Sequence, residues 1–396
     1  MSYRKILTRN VLLWMLTAFA GRLPIAIAPL GLVFLVRETS GGYSLGATLA
    51  GAYVLGEVLG SVVLGAWMHP TRLHLSIGMA VGGAAFAGLA LFPDASMALT
   101  VALAFVGGAA PAAGPGGMRS MLIALVDKAD EPKALSAETV LTQVTWGGAP
   151  ALVVLLAVNV SPRAPLALGA IGFVAAALVL FLLPAARPTA AEDAGTGQAK
   201  TARGRVLASA WPIYLTSAAA MAMLATAELA LTPLLEYRDL TVNWSGALLA
   251  LFSLTSAFGA FLYGLRTWPG TVRSQSLVFL LLTAVCVSMS AVLPNLIGIA
   301  VAFLAAGVFQ AGVMVTRSLS LRERLPEHAH TAGYSIQYAV QGVGYTLTAS
   351  VAAIVLDGST PVVAILGGVV ITLLLTGVSA AAELRFRQTR AEEAVS

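Results

Sequence analysis

Long apolar runs broken by short polar clusters fill the chain from Val11 to Ala382. A helix needs about 20 mostly apolar residues to cross about 30 Å of hydrocarbon, since each residue adds about 1.5 Å of rise. Runs of that kind lie at Val11–Val36, Ser44–Trp67, Leu75–Phe92, Met97–Met118, Ser136–Val160 and Pro165–Leu183. Six more follow at Ala208–Leu231, Ser245–Leu265, Ser276–Leu293, Leu296–Val315, Thr331–Leu356 and Pro361–Ala382. The pattern predicts an all-α membrane protein of twelve transmembrane helices in two pseudo-symmetric bundles of six. A polar stretch rich in Ala, Gly, Thr and charge, Ala185–Arg205, separates the bundles and reads as a flexible linker. The expected organisation is residues 1–184, a cytoplasmic linker 185–207, and residues 208–396 with a cytoplasmic tail.

Composition agrees with lipid as the solvent. Hydrophobic residues make up 58% and charged residues 10%, against about a quarter charged in soluble domains. No small-residue cleavage site closes the first apolar run, so that helix is expected to be retained. Of the 23 Lys and Arg, all but Arg22, Arg37, Arg163 and Arg238 fall in segments that one orientation places inside. The positive-inside rule then puts both termini in the cytoplasm of a cell membrane. The net charge of +5 follows from this bias and from anionic lipid, so no nucleic-acid partner is expected. The single cysteine, Cys286, rules out an intramolecular disulfide and a Cys-based metal cluster. We expect no metal and no cofactor.

The two halves echo each other. Gly60, Gly65 and Pro70 recur as Gly259, Gly264 and Pro269, and VALAFVGG from Val101 recurs as VAFLAAGV from Val301. AIAPL ending at Leu30 is matched by ALTPL ending at Leu234, and Arg119-Ser120 by Arg317-Ser318. Duplication of this kind is frequent in secondary transporters.

With six plus six helices, a central linker and Gly-rich second and eighth helices followed by tight turns, the chain resembles the major facilitator superfamily over essentially its whole length. The family's charged turn after the second helix would fall on GAWMHPTRLH, Gly65–His74, where His69 takes the acidic position and Pro70 the basic one. The Gly-Pro-rich fifth helix of exporters would fall on Gly147, Gly148, Ala149 and Pro150, a partial match. The resemblance implies a monomer working by alternating access, and compact bacterial members of the family tilt the reading toward efflux of drugs or natural products.

Polar groups inside the membrane carry the candidate chemistry, because a charge at mid-bilayer costs at least about 2.5–3.5 kcal/mol and must face protein or water. Arg22 and Glu57 both fall near the middle of their spans and are candidates for a pair, acting either in proton coupling or as a static tie. Glu228, with no basic neighbour in sequence, is the other candidate proton carrier. Glu138, beside the charged DKADEPK loop, reads as a solvated cytoplasmic group. On the eleventh span Tyr334, Tyr338, Gln341, Tyr345 and Thr348 alternate at spacings of four and three, a polar face on one side of a helix. Thr139, Gln143, Trp146 and Pro150 form the matching stripe on the fifth span. The two stripes are expected to line a substrate cavity, with interhelical hydrogen bonding as the competing role. Gln310 is a further cavity candidate. The Gly- and Pro-dense fourth span, from Gly107 to Gly117, argues for a bend and close helix approach. Arg119 and Arg317, at inner helix ends, are candidate anchors or gate residues whose partners would be carboxylates such as Glu131 or Glu327.

The four histidines lie in cytoplasmic turns and no P-loop pattern occurs, so neither an enzyme nor an ATP-driven pump is indicated. The expected function is proton-coupled efflux of an amphipathic small molecule. The alternatives are proton-coupled uptake of a metabolite and a non-transporting receptor or scaffold.

Overall fold

The computed structural model describes residues 3–36, 42–67, 71–183 and 204–393. Nearly all of the expected linker, and the positions Arg37, His69 and Pro70, lie outside the described residues. The first half contains α1 (Arg9–Val36), α2 (Gly42–Gly60), α3 (Arg72–Leu91), α4 (Met97–Ala109), α5 (Gly114–Ala124), α6 (Glu131–Asn159) and α7 (Ala164–Leu180). The second contains α8 (Trp211–Tyr237), α9 (Trp244–Leu265), α10 (Val272–Val292), α11 (Leu296–Arg324), α12 (His330–Gly358) and α13 (Pro361–Glu393). Among the described residues, eleven segments are long and apolar enough to cross a membrane, and α7, at 17 residues, is a shorter apolar helix. These thirteen described helices make twelve crossings because α4 and α5 share one.

That crossing breaks at Ala110–Ala113. Pro111 has no N–H to give to the helix ladder, and Pro115 restarts it at the first turn of α5, where a missing donor costs nothing. The bend expected in the fourth span is therefore a full interruption. By contrast, α1 stays helical through Pro24 and Pro29. Beyond Gly60 the second crossing continues as a π-helical stretch, Ser61–Trp67.

Several helices outrun the apolar windows. The fifth crossing starts at Glu131, α11 continues to Arg324, and α13 to Glu393. Hydropathy marks where lipid ends, whereas a helix ends where its backbone bonds find caps or turns.

Contacts divide the chain into two compact units: residues 1–193 with 330–339, and residues 194–329 with 340–396. In unit 1, α1 packs on α7, α2 on α4, and α3 on both α4 and α7. Unit 2 repeats that order, with α8 on α13, α9 on α11, and α10 on both α11 and α13. The glycine frame explains the match. A side chain at Gly60 would strike the backbone of Ala109, and one at Gly259 the backbone of Val308; Gly108 meets Tyr53, and Gly307 meets Phe252. Helices α2–α4 and α9–α11 thus pack backbone to backbone, the arrangement that small residues permit inside membranes. Helix starts repeat too. Thr71 caps α3 and Thr271 caps α10, while Ser96 caps α4 and Asn295 caps α11, each side-chain oxygen accepting an N–H three residues on. Unit 1 fills its core with Trp14, Tyr53, Phe86 and Phe173; Phe252 and Phe303 do this in unit 2.

Candidate functional site

A buried ionic cluster lies within unit 1. Glu138, 1% exposed at its side chain, is held between two arginines. Arg119 Nε approaches both carboxylate oxygens, at 2.9 and 2.8 Å, and Arg22 Nη2 donates to Oε1. Arg22 Nη1 also donates to Thr142 Oγ1 at 2.8 Å, and that hydroxyl lies 2.9 Å from the Glu138 carbonyl. The guanidiniums rest on aromatic faces: Arg22 is 5.9 Å from the Trp14 ring and Arg119 5.4 Å from Tyr334. Trp14 itself donates its indole N–H to the Met118 carbonyl at 2.7 Å, which ties α1 to α5. Beside Arg22, at the α4–α5 break, a small cavity is lined by Thr17, Met79, Pro111, Pro115 and Met118.

This arrangement corrects three expectations. Arg22 pairs with Glu138 and not with Glu57. Glu138 is not a solvated group, because α6 begins early enough to put it more than a turn inside the protein. Arg119 takes Glu138 as its carboxylate, not Glu131 or Glu327. The two pairings join positions 116 and 19 residues apart on different helices, which helical spacing does not reveal.

Glu57 takes a hydroxyl partner instead. Tyr338 Oη donates to Glu57 Oε1 at 2.7 Å, and among the described residues no cation lies within ion-pair distance of Glu57. Tyr53, one turn before Glu57 on α2, is fully buried, and its hydroxyl makes no hydrogen bond among the described residues. In unit 2, Tyr345 Oη donates to Glu228 Oε2 at 3.1 Å, again with no cation at ion-pair distance among the described residues. Both phenols come from α12, two helical turns apart on one face.

The remaining candidates scatter. Tyr334 is fully buried under Arg119, and Gln337, which the sequence reading passed over, accepts from Arg119 Nη1 at 3.4 Å. Gln341 Nε2 approaches Met314 Sδ at 3.7 Å. Gln310 is 2% exposed; its Nε2 donates to the Ala220 carbonyl, and its Oε1 has no partner among the described residues. On α6, Thr139 is buried, Gln143 half-buried and Trp146 41% exposed, so that stripe turns steadily outward from the core of unit 1. Arg317, with no exposed side-chain surface, pairs with Glu383 at 3.1 Å and donates to Ser320; Arg273 reaches the same carboxylate at 2.8 Å. Here too the partner differs from the expected Glu327, which sits 3.6 Å from Arg322. Glu383 was missed because it follows the last apolar run, although a carboxylate there beside Arg385 and Arg387 is a signal in itself. No group of three or more His, Cys, Asp or Glu suited to a metal occurs among the described residues.

Solved transporter structures share this architecture. A bacterial homologue of the iron transporter ferroportin, in an outward-facing state, superposes with a TM-score of 0.73 at 16% identity, covering 94% of this chain and 100% of that one. The human organic anion transporter MFSD10 gives 0.72 at 13%, covering 96% and 100%. The proton:xylose symporter XylE bound to 6-bromo-6-deoxy-D-glucose gives 0.72 at 13%, covering 93% and 94%. At these identities the likeness concerns the fold, and the cargoes named differ from one protein to the next. No curated protein matches the sequence significantly. The sequence model of the Major Facilitator Superfamily matches residues 11–275, two-thirds of the chain, from α1 to the first residues of α10. The chain therefore belongs to the Major Facilitator Superfamily of membrane transporters.

Proposed function

We propose that this protein is a proton-coupled secondary transporter that moves a small molecule across a cell membrane by alternating access, as a monomer with both termini in the cytoplasm. The observation that carries the reading is the contrast among its three intramembrane carboxyls. A carboxylate clamped by two guanidiniums, as Glu138 is, loses both pairings if it takes a proton. A carboxyl bonded only to a phenol keeps that hydrogen bond in either state, since the phenol can donate to the carboxylate or to the carbonyl oxygen of the acid. Glu57 and Glu228 are of the second kind. They are the groups we assign to proton loading, with Tyr338 and Tyr345 as their reporters on α12.

Export by antiport is the first reading for direction, supported by the partial exporter pattern at Gly147–Pro150. Proton-linked uptake is the second, supported by the surplus of positive charge in the Arg22–Glu138–Arg119 cluster. The test is transport in sealed proteoliposomes under an imposed pH gradient, with lumenal pH recorded. Substrate flux coupled to a reciprocal proton flux is expected, its sign separating antiport from symport. Glu57→Gln and Glu228→Gln are expected to reach normal levels in the membrane and to lose coupling by about tenfold or more. Full coupling in both would remove the carboxyl assignment.

A further inference from the structure

Helix α12 is divided between the units: residues 330–339 group with unit 1, and the helix from Val340 onward with unit 2. Its repeat counterpart α6, Glu131–Asn159, lies wholly within unit 1. The first turns of α12 are deeply seated there, with Ala332, Tyr334, Ser335 and Gln337 fully buried. Ser335 fits without clearance. A Cβ at Gly65 would overlap its Oγ and Cβ, and a Cβ at Gly116 would overlap its Oγ and stand 2.7 Å from its N and 2.9 Å from its Cα. Gly65, in the π-helical stretch, and Gly116, in the first turn of α5, thus form a socket of two glycines for one serine. The Ser335 hydroxyl has no hydrogen-bond partner among the described residues, so the seat is one of shape. Side-chain contacts tie the same turns to unit 1: Arg119 meets the Tyr334 ring and donates to Gln337, and Tyr338 donates to Glu57. Just past the division, two glycines differ in role. A Cβ at Gly344 would strike the Ala218 carbonyl, so that glycine lets α8 and α12 touch, whereas a Cβ at Gly342 would meet nothing within 4 Å. Packing gives Gly342 no reason to be glycine, and its effect is to loosen the helix backbone.

We propose that the first turns of α12 are a latch, keyed by Ser335 into the Gly65–Gly116 socket, which lifts from unit 1 by bending α12 at Gly342. A straight, stiff α12 would carry residues 330–339 wherever the rest of the helix goes. A bend at Gly342 lets them leave their seat and return to it separately. The inference rests on the alternating-access reading above and adds which segment detaches when the state changes.

The experiment is thiol labelling of the full-length protein in lipid nanodiscs with a water-soluble maleimide, which needs no substrate. Cys286→Ala removes the native thiol, and Ala332→Cys reports on the latch while Ala104→Cys, in the core of unit 1, reports on the unit as a whole. Gly65→Ala drives a methyl into Ser335 and should speed labelling at Ala332→Cys by about tenfold or more, as the lifted latch gains population. Ser335→Gly removes both atoms that this methyl meets, so Gly65→Ala with Ser335→Gly should return close to the parent rate. Gly116→Ala should also label fast, and it should stay fast with Ser335→Gly, because its methyl still meets the Ser335 N and Cα. Gly342→Ala stiffens the hinge and should raise thermal stability while slowing labelling of the parent by about fivefold or more. Ala104→Cys should stay protected throughout. A parent rate unchanged by Gly65→Ala, a rate unchanged by Gly342→Ala, or exposure of Ala104→Cys together with Ala332→Cys would each overturn the proposal. The expected labelling in a protein that shows no coupling in the proteoliposome assay would remove the transport reading and leave the latch. Intact coupling without the labelling pattern would do the reverse.

Discussion

The two units place an arginine at the same repeat position and use it differently. Arg119 in unit 1 turns to Glu138 on α6, which also holds Arg22 of α1. Arg317 in unit 2 turns to Glu383 on α13, which also holds Arg273 at the start of α10. Each unit thus builds an Arg–Glu–Arg bridge, but the carboxylate sits at 1% exposure in the first and 16% in the second. The unit 1 bridge joins α1, α5 and α6 well inside the protein, with Arg119 against Tyr334 and Gln337. The unit 2 bridge ties the start of α10 to α11 and α13. A second pair of arginines shows the same divergence. Arg273 donates to the Ala380 carbonyl as well as meeting Glu383, whereas Arg72, among the described residues, donates to the Phe181 and Leu183 carbonyls just past α7. The backbone frame repeats between the units, whereas the carboxylates stand on different helices, so one unit buries its ion bridge and the other sets its carboxylate nearer solvent.

The comparison can be broken most decisively at its carboxylates. Glu138→Gln strands two buried guanidiniums and should cost about 3–5 kcal/mol, whereas Glu383→Gln, at a more solvated end, should cost about 1–2 kcal/mol. Thermal unfolding in detergent, with expression level as a second readout, checks the order; equal effects would mean that depth does not separate the two bridges. The backbone frame should behave in the opposite way. Gly60→Ala and Gly259→Ala each drive a methyl into the facing backbone, of Ala109 and of Val308, and should destabilise by similar amounts, about 1–3 kcal/mol. A clear difference between these two would show that the helix pairs are not equivalent. The smallest effects are expected at the arginines that open α3 and α10. Arg72→Lys loses one of two carbonyl bonds and should cost about 0.5–1 kcal/mol, and Arg273→Lys somewhat more because it also loosens an ion pair; the same unfolding assay orders them.

Much of this fold is readable in the chain. Twelve apolar runs, the interrupted fourth crossing and the glycines shared by the two halves each follow from local chemistry. Length and hydropathy answer to lipid thickness, proline to a missing donor, and glycine to a backbone that must come close. The repeated caps were equally available, since Thr71 with Thr271 and Ser96 with Asn295 fall in the same frame, although apolar spans alone do not draw the eye to them. The candidate site was legible only in its membership. Arg22, Glu57, Arg119, Glu228, Tyr338 and Tyr345 stand out because polar groups in lipid need partners, while Glu138 reads as solvated from its charged neighbours.

Partner choice lay beyond the sequence. Arg22 and Glu138 are separated by 116 residues, and Tyr338 and Glu57 by 281. Helical periodicity states which side of a helix a residue occupies, not which helix it faces or at what depth. The sequence by itself determined the solvent, the number of crossings, the duplication and the set of buried polar groups, because each answers to a cost borne locally by a residue or a turn. Only the tertiary structure decided that Glu138 takes the arginines and that Glu57 and Glu228 take tyrosines, because those pairings depend on helix depth and rotation settled by the packing of every neighbour at once.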